Sequence, residues 1–234
     1  MRWRRAMRAR RWWIALAGVA TLAFGPMLLA DGAGARAGTC YGTPSDGRVE
    51  GAVRLPASGP NFRAYCVPCI AALRTYGHEP AVAATVAAYE ALETSQPDVS
   101  FVYGEIGLPW GGRFRPHRTH RNGLSFDFMV PLMEGRIPTS AANRFGYDVD
   151  FDEEGRGDAG RIDFAAIAAH LVALDEAARE RGGRIARVIL APDLQDELAR
   201  APGDVIERFR FNRRQAWVRH DDHYHVDFDF PCSD

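Results

Sequence analysis

Three of the seven histidines in the chain, His220, His223 and His225, fall within six positions near its C-terminal end. From His223 onward the residues alternate. His223, His225, Asp227 and Asp229 share one parity, and Tyr224, Val226, Phe228 and Phe230 the other. A period of two predicts a β-strand with one apolar face and one face rich in metal-binding side chains. Two imidazoles at i and i+2 stand side by side on a strand. One is then close enough to hold a metal while the other contacts what the metal holds. The competing reading is a polar face turned to solvent, which such a density of histidine disfavours.

A second stretch repeats the pattern. His117-Arg118-Thr119-His120-Arg121-Asn122-Gly123 leads into a segment where Leu124, Phe126, Phe128 and Val130 form the apolar side and Asp127 projects from the other. Asn122-Gly123 is a turn signal, so His120 can fold back over the strand that follows. A histidine and a carboxylate here, added to the C-terminal histidines, make a nitrogen and oxygen donor set. That set suits zinc in a catalytic site, with three protein ligands and an open position for water.

The run from His120 to Asp127 (a histidine, six residues, an aspartate), followed by His223-Tyr224-His225, resembles the LAS-type zinc peptidases. These include D-Ala-D-Ala peptidases, lysostaphin-like enzymes and hedgehog domains. The longer string Gly107-Leu108-Pro109-Trp110-Gly111-Gly112, then His117 to Leu124, with His220 ahead of the final pair, looks like the penicillin-insensitive murein endopeptidases. The likeness runs from about Val99 to Phe230. It implies one zinc per chain, held by His120, Asp127 and His225, with His117 a further candidate ligand. His223, beside a ligand and with a native pKa near neutrality, is the candidate general base. His220 then orients His223 or steadies the oxyanion, and the sequence leaves these two roles interchangeable. The implied reaction is hydrolysis of an amide in peptidoglycan crosslinks, as in D-alanyl-meso-diaminopimelyl endopeptidases. Two alternatives stay open: a zinc carboxypeptidase acting on terminal D-Ala-D-Ala, and a non-catalytic wall-binding module with a structural zinc. Both accessory histidines are present beside the ligand set, which favours the enzyme.

The elements that must position these residues predict an α+β fold: one domain over 38–234, a small antiparallel sheet carrying the ligands, and helices packed to one side. Strands are expected at Val99 to Ile106, Leu124 to Val130, Arg184 to Leu190 and from His223. Helices are expected at Tyr65 to Arg74, Glu79 to Ser95, Asp163 to Arg181, Asp193 to Arg200 and Val205 to Phe211. Pro80 lies in the first turn of the second, and Gly182-Gly183 stops the third. His78 reads as a turn or cap residue and His170 as a structural histidine. Phe145 to Asp158 is acidic but lacks the full ligand spacing of a calcium loop. It reads as an edge strand with a hairpin turn at Glu154-Gly155.

Between strand and histidines, Gly107 to Arg115 is a glycine-rich loop. Trp110 in this loop, together with Arg113 and Arg118, forms the candidate substrate-binding set. An aromatic wall and a basic rim would suit the carboxylates of stem peptides; packing and ion pairing with nearby acids are the alternatives.

Met1 to about Ala37 reads as a signal peptide: six arginines, an apolar core from Trp12 to Ala30, and Ala35-Arg36-Ala37 as the cleavage signal. An uncleaved anchor is the competing reading; cleavage gives a periplasmic protein with no stable membrane anchor. Removing this segment takes away seven arginines and one aspartate, leaving 22 basic and 29 acidic side chains. An acidic mature chain argues against nucleic acid as a partner. Four cysteines in an exported chain point to disulfides. Pairing Cys40 with Cys232 would tie the mature ends together and leave Cys66 with Cys69; a redox motif at Cys66-Val67-Pro68-Cys69 is the alternative.

Overall fold

The computed structural model describes residues 38–135 and 149–234. The expected signal peptide and Phe145 to Asp148 therefore lie outside the described residues. Among the described residues, eleven strands and five α-helices follow in chain order. β1 (Thr39–Thr43) and β2 (Asp46–Glu50) form a ribbon, and β3 (Val53–Arg54) pairs with β5 (Tyr76–Gly77). Between those two come β4 (Phe62–Ala64) and α1 (Val67–Ala71). Then follow α2 (Glu79–Ser95), β6 (Phe101–Tyr103), β7 (Ser125–Met129), the hairpin of β8 (Arg156–Gly157) and β9 (Gly160–Arg161), and α3 (Phe164–Arg179). The chain closes with β10 (Arg184–Ile189), α4 (Gln195–Leu198), α5 (Val205–Arg208) and β11 (His223–Asp229).

One five-stranded sheet, in the order β10-β11-β7-β6-β4, carries the site. Its pairings are antiparallel except β4 with β6. On β11 and β7, register sets His225 opposite Asp127, Asp227 opposite Ser125, and Tyr224 opposite Phe128. Directly opposed residues share a sheet face, so the histidines and the aspartates fall together on one side. A slip of one residue would send all of them into the core. On β10 the register shifts between Ile185 and Arg187, which brings Arg187 opposite Asp227.

The other face buries Phe126, Phe128, Tyr224, Val226 and Phe228 in the main hydrophobic core. α2 and α3 pack on each other over this face, which makes the fold α+β with helices on one side. His170 of α3 sits where they meet the sheet, stacked between Tyr89 of α2 and Phe101 of β6 with ring centroids 5.1 and 5.0 Å away. Asp163 starts α3 by accepting the Ala166 N–H at 2.9 Å, satisfying one of the unpaired donors of a helix start. His78 holds the N-cap position of α2, but its Nε2 bonds the Gly38 carbonyl instead of the helix. Among the described residues no helix is long and apolar enough to cross a membrane.

The four cysteines form Cys40–Cys232, which clasps β1 to the segment after β11, and Cys66–Cys69 across the start of α1.

The strand expected at Val99 to Ile106 is confined to Phe101–Tyr103 and the helix expected at Val205 to Phe211 to Val205–Arg208, and two further segments depart from the sequence reading. α1 is only five residues long, because Leu73 adopts a left-handed conformation at φ 60° and stops it. Val149 to Asp152 is not a strand, although Val149 and Phe151 are buried and Asp150 and Asp152 exposed. The Phe151 N–H bonds the Asp221 carboxylate at 2.9 Å, so the segment is held by a side chain and not by a neighbouring strand. The Asp152 carboxylate accepts the Glu154 and Arg156 N–H groups, at 3.0 and 2.8 Å, and draws 152–156 into a turn. The hairpin of β8 and β9 turns at Asp158-Ala159, not at Glu154-Gly155.

Candidate active site

The turn before β7 delivers His120. Gly123 has φ 76°, and a Cβ there would lie 2.6 Å from the His78 nitrogen, so only glycine fits this close approach. His120 itself has φ 66°, an uncommon conformation for a non-glycine residue. Its ring is fully buried, and its Nδ1–H donates to the Ile106 carbonyl at 2.9 Å. Nε2 therefore carries the lone pair. It faces Asp127 Oδ1 at 3.3 Å and has no hydrogen-bond partner among the described residues. Burial keeps this imidazole neutral by pushing its pKa down. Burial alone would raise the Asp127 carboxyl, but the surrounding histidines hold it well below the usual carboxylate range.

A second imidazole reaches Asp127 from β11. His225 Nδ1 lies 2.8 Å from Asp127 Oδ1, and its Nε2 lies 2.8 Å from Asp227 Oδ1. Asp227 is anchored in turn, accepting the Ser125 hydroxyl at 2.7 Å and the Arg187 guanidinium at 2.9 Å. Burial would lower the His225 pKa; the two carboxylates outweigh it and raise it to about 10.

The third imidazole is His117. Its Nε2 is held by Glu105 Oε2 at 2.5 Å, and its Nδ1 lies 3.9 Å from Asp127 Oδ2. Glu105 is buried just beyond β6, where its carbonyl accepts the Asp127 N–H at 2.9 Å. It also accepts from the Tyr65 hydroxyl and the Arg74 guanidinium. Burial would raise this carboxyl, but the bonds from Arg74 and His117 bring it down to about 2.

All three histidines thus have one nitrogen fixed by an oxygen acceptor and the other turned toward Asp127. This is the way outer hydrogen bonds orient metal ligands. Donor atoms of His117, His120 and Asp127 all lie within 4.8 Å of one another. The buried His120 Nε2 and Asp127 Oδ1 stand 3.3 Å apart, a spacing at which both could bind one cation. The donors fit a metal ion.

Beside this group lies a cleft of about 320 Å³ lined by Arg74, Glu105, His117, Trp217, His220, Asp222 and His223, among others. The His220 and His223 ring centroids are 4.6 Å apart. His220 donates Nδ1–H to the Val218 carbonyl at 3.0 Å, and burial, with His223 nearby, lowers its pKa to about 3. His223 donates Nδ1–H to Asp222 Oδ1 at 2.5 Å. Burial would lower the His223 pKa, and the Asp222 bond more than offsets it.

The family model of penicillin-insensitive murein endopeptidases matches residues 40–234. The chain belongs to this family. Curated proteins give no match. A murein endopeptidase is a peptidoglycan hydrolase, and the group that could hold a metal ion lies beside the cleft, where such chemistry would be built.

In this murein endopeptidase the structure brings His117, His120, Asp127, His220, His223 and His225 into one neighbourhood. The expected substrate set does not line this cleft. Trp110 is 62% exposed, and neither it nor Arg113 nor Arg118 lines the cleft, whose tryptophan is Trp217 and whose arginines are Arg74 and Arg219. The loop holding Trp110 is pinned by backbone bonds to Arg121 and to the β1–β2 ribbon. Sequence reasoning gave no role to Glu105, Asp222 or Asp227. The alternation on β11 placed Asp227 on the histidine face, and adjacency to His223 was the signal for Asp222. Glu105 carries no local signal, since only the sheet order brings it under His117.

Proposed function

We propose that this chain is an exported zinc-dependent endopeptidase that cuts an amide bond in peptidoglycan crosslinks, between a D-alanyl residue and meso-diaminopimelate in the stem peptides. The mature domain is residues 38–234, released into the periplasm. The observation that carries the metal assignment is the buried His120 Nε2 opposite Asp127 Oδ1 at 3.3 Å. Ligand bonds of about 2 Å at a tetrahedral centre set neighbouring donor atoms roughly 3.3 Å apart. His120 through Nε2, Asp127, and His225 through Nδ1 would hold zinc, with His117 Nδ1 a further donor.

The chemistry zinc supplies when bound is polarisation of the scissile carbonyl and acidification of a water toward a pKa of about 7. His223, opening on the cleft, takes the proton of the attacking water at Nε2 and returns it to the leaving amine nitrogen. Its carboxylate partner makes it a better proton acceptor than His220, whose Nδ1–H meets only a neutral carbonyl. His220 packs against the His223 ring and limits its rotation. Trp217 and Arg74 line the approach for the stem peptide.

The test is digestion of crosslinked muropeptide dimers by purified protein. Dimers should become monomers, digestion should stop in chelator, and added zinc should restore it. Release of terminal D-alanine from intact dimers would identify a carboxypeptidase. Wall binding without turnover would identify a binding module.

A further inference from the structure

Residues 213–219, between α5 and β11, form an arm that is exposed for most of its length. Its base is closed by two adjacent residues at the end of β10. The Leu190 N–H donates to Asn212 Oδ1 at 3.0 Å, and the Ala191 N–H donates to the His220 carbonyl at 2.7 Å. Within the arm, Asn212 Nδ2 donates to the Arg214 carbonyl and Gln215 Nε2 to the Val218 carbonyl, each at 3.0 Å. The Arg219 guanidinium is held by Asp193 at 2.9 Å and by Asp221 at 3.1 Å. A loop tied at its base and across its span is shaped before a ligand arrives, which lowers the ordering cost of binding.

This arm holds apolar surface out at the cleft. Trp217 is 49% exposed and Val218 36%. Both line the cleft, and the Trp217 ring stands edge-on to His117 with centroids 6.5 Å apart. The other exposed large hydrophobic side chains among the described residues, Val67, Leu73, Trp110 and Met133, do not line it. Apolar surface gathered at a cleft is covered when an apolar group enters, and that burial favours binding.

We propose that Trp217 is a specificity-determining residue, its indole packing against the methylene chain of the diaminopimelate in the crosslink. This role rests on the reading of the chain as an endopeptidase of such crosslinks. The amides, carboxylates and ammonium groups of a crosslink are polar, and the D-alanyl side chain is a single methyl. The methylene chain is the longest apolar stretch near the cut. It starts at the carbon attached to the scissile nitrogen, so it lies close to the metal-binding group when the amide is cut there. Trp217 is the aromatic side chain of the cleft next to that group. A contact remote from the bonds that change is equally strong in the ground and transition states. It therefore lowers KM and leaves kcat alone.

The experiment measures kcat, KM and zinc content for zinc-loaded wild type, Trp217→Ala and Trp217→Phe on two synthetic crosslinks. One contains diaminopimelate. The other contains diaminoglutarate, which keeps both amino and both carboxylate groups but shortens the methylene chain between them. Wild type should show a KM about 10-fold higher for the shortened crosslink, from the methylene groups withdrawn from contact. Trp217→Ala should raise KM about 10-fold on the diaminopimelate crosslink, with kcat and zinc content near wild type, and should no longer distinguish the two substrates. Trp217→Phe, which keeps an aromatic face, should restore most of the difference. Lower kcat or lost zinc in Trp217→Ala with KM unmoved would mark a residue that only packs on His117, and would overturn the role. Equal KM values of wild type for the two crosslinks would overturn it too, whether or not either variant folds. A zinc-loaded wild type that cleaves neither crosslink removes the endopeptidase reading, and the role of Trp217 falls with it.

Discussion

Asp227 Oδ1 lies 2.8 Å from His225 Nε2, so a carboxylate stands directly behind the imidazole that faces Asp127. The pair is two residues apart on β11, and Ser125 on β7 and Arg187 on β10 hold the carboxylate from either side. Three neighbouring strands thus converge on one outer hydrogen bond.

This relationship sets a first prediction. Asp227→Asn should weaken zinc binding by about 10- to 100-fold, the usual cost of losing an outer carboxylate. Competition against a chromogenic chelator measures it directly. Unchanged affinity in Asp227→Asn would show that the sheet alone orients His225.

His225 and His223 share a strand face, and the proposed function gives them different tasks. Replacing His225 with Ala removes a proposed zinc ligand, so metal content and turnover should fall together. His223→Ala should retain zinc and lose about 100- to 10,000-fold in rate. Zinc stoichiometry beside the crosslink-cleavage rate decides between them. A His223→Ala protein that loses its zinc, paired with a His225→Ala protein that keeps it, would reverse the assignment.

The faces of β7 and β11 were legible because an apolar side chain recurs at every second residue of both strands. Register was not, yet it hardly mattered for the aspartate and histidines, which share a face in any pairing that keeps the apolar sides together. Val149 to Asp152 shows the limit of the same signal. Its alternation in burial is real, but a side-chain bond from Asp221 replaces the strand partner. Glu105 was invisible because its role depends on β6 lying next to β7. Trp110, Arg113 and Arg118 do not line the cleft beside His117, since nearness in sequence to His117 does not decide which side chains reach it.

The two disulfides should differ in worth. Cys40 and Cys232 are 192 residues apart, and Cys66 and Cys69 are three apart. In the chain-entropy model the long loop is worth roughly 5 kcal/mol and the short one roughly 2. Paired Cys→Ala variants of each bond, compared by denaturant midpoint, should show the larger loss for Cys40 and Cys232. A larger loss for Cys66 and Cys69 would place the stabilisation in the start of α1 instead.

His170 gives the fold an acid sensitivity of its own. It is fully buried, its Nδ1 lies 2.5 Å from the Tyr224 hydroxyl, and burial lowers its pKa from 6.5 to about 3. Between those values the unfolded chain binds a proton at this position and the folded chain does not. The unfolded state therefore gains as pH falls, and stability drops by up to about 1.4 kcal/mol per pH unit below 6.5. Replacing His170 with Leu removes the titrating group. It also leaves the Tyr224 hydroxyl buried without this partner, at a cost of about 1–3 kcal/mol that does not depend on pH. The variant should accordingly be less stable near neutrality but lose less stability on acidification. Urea midpoints from about pH 7 to about pH 4 for the two proteins measure the difference in slope. Acid release of a metal is common to both and cancels in the comparison. Parallel slopes would mean that His170 is protonated in the folded core, with its charge met by a group other than Tyr224.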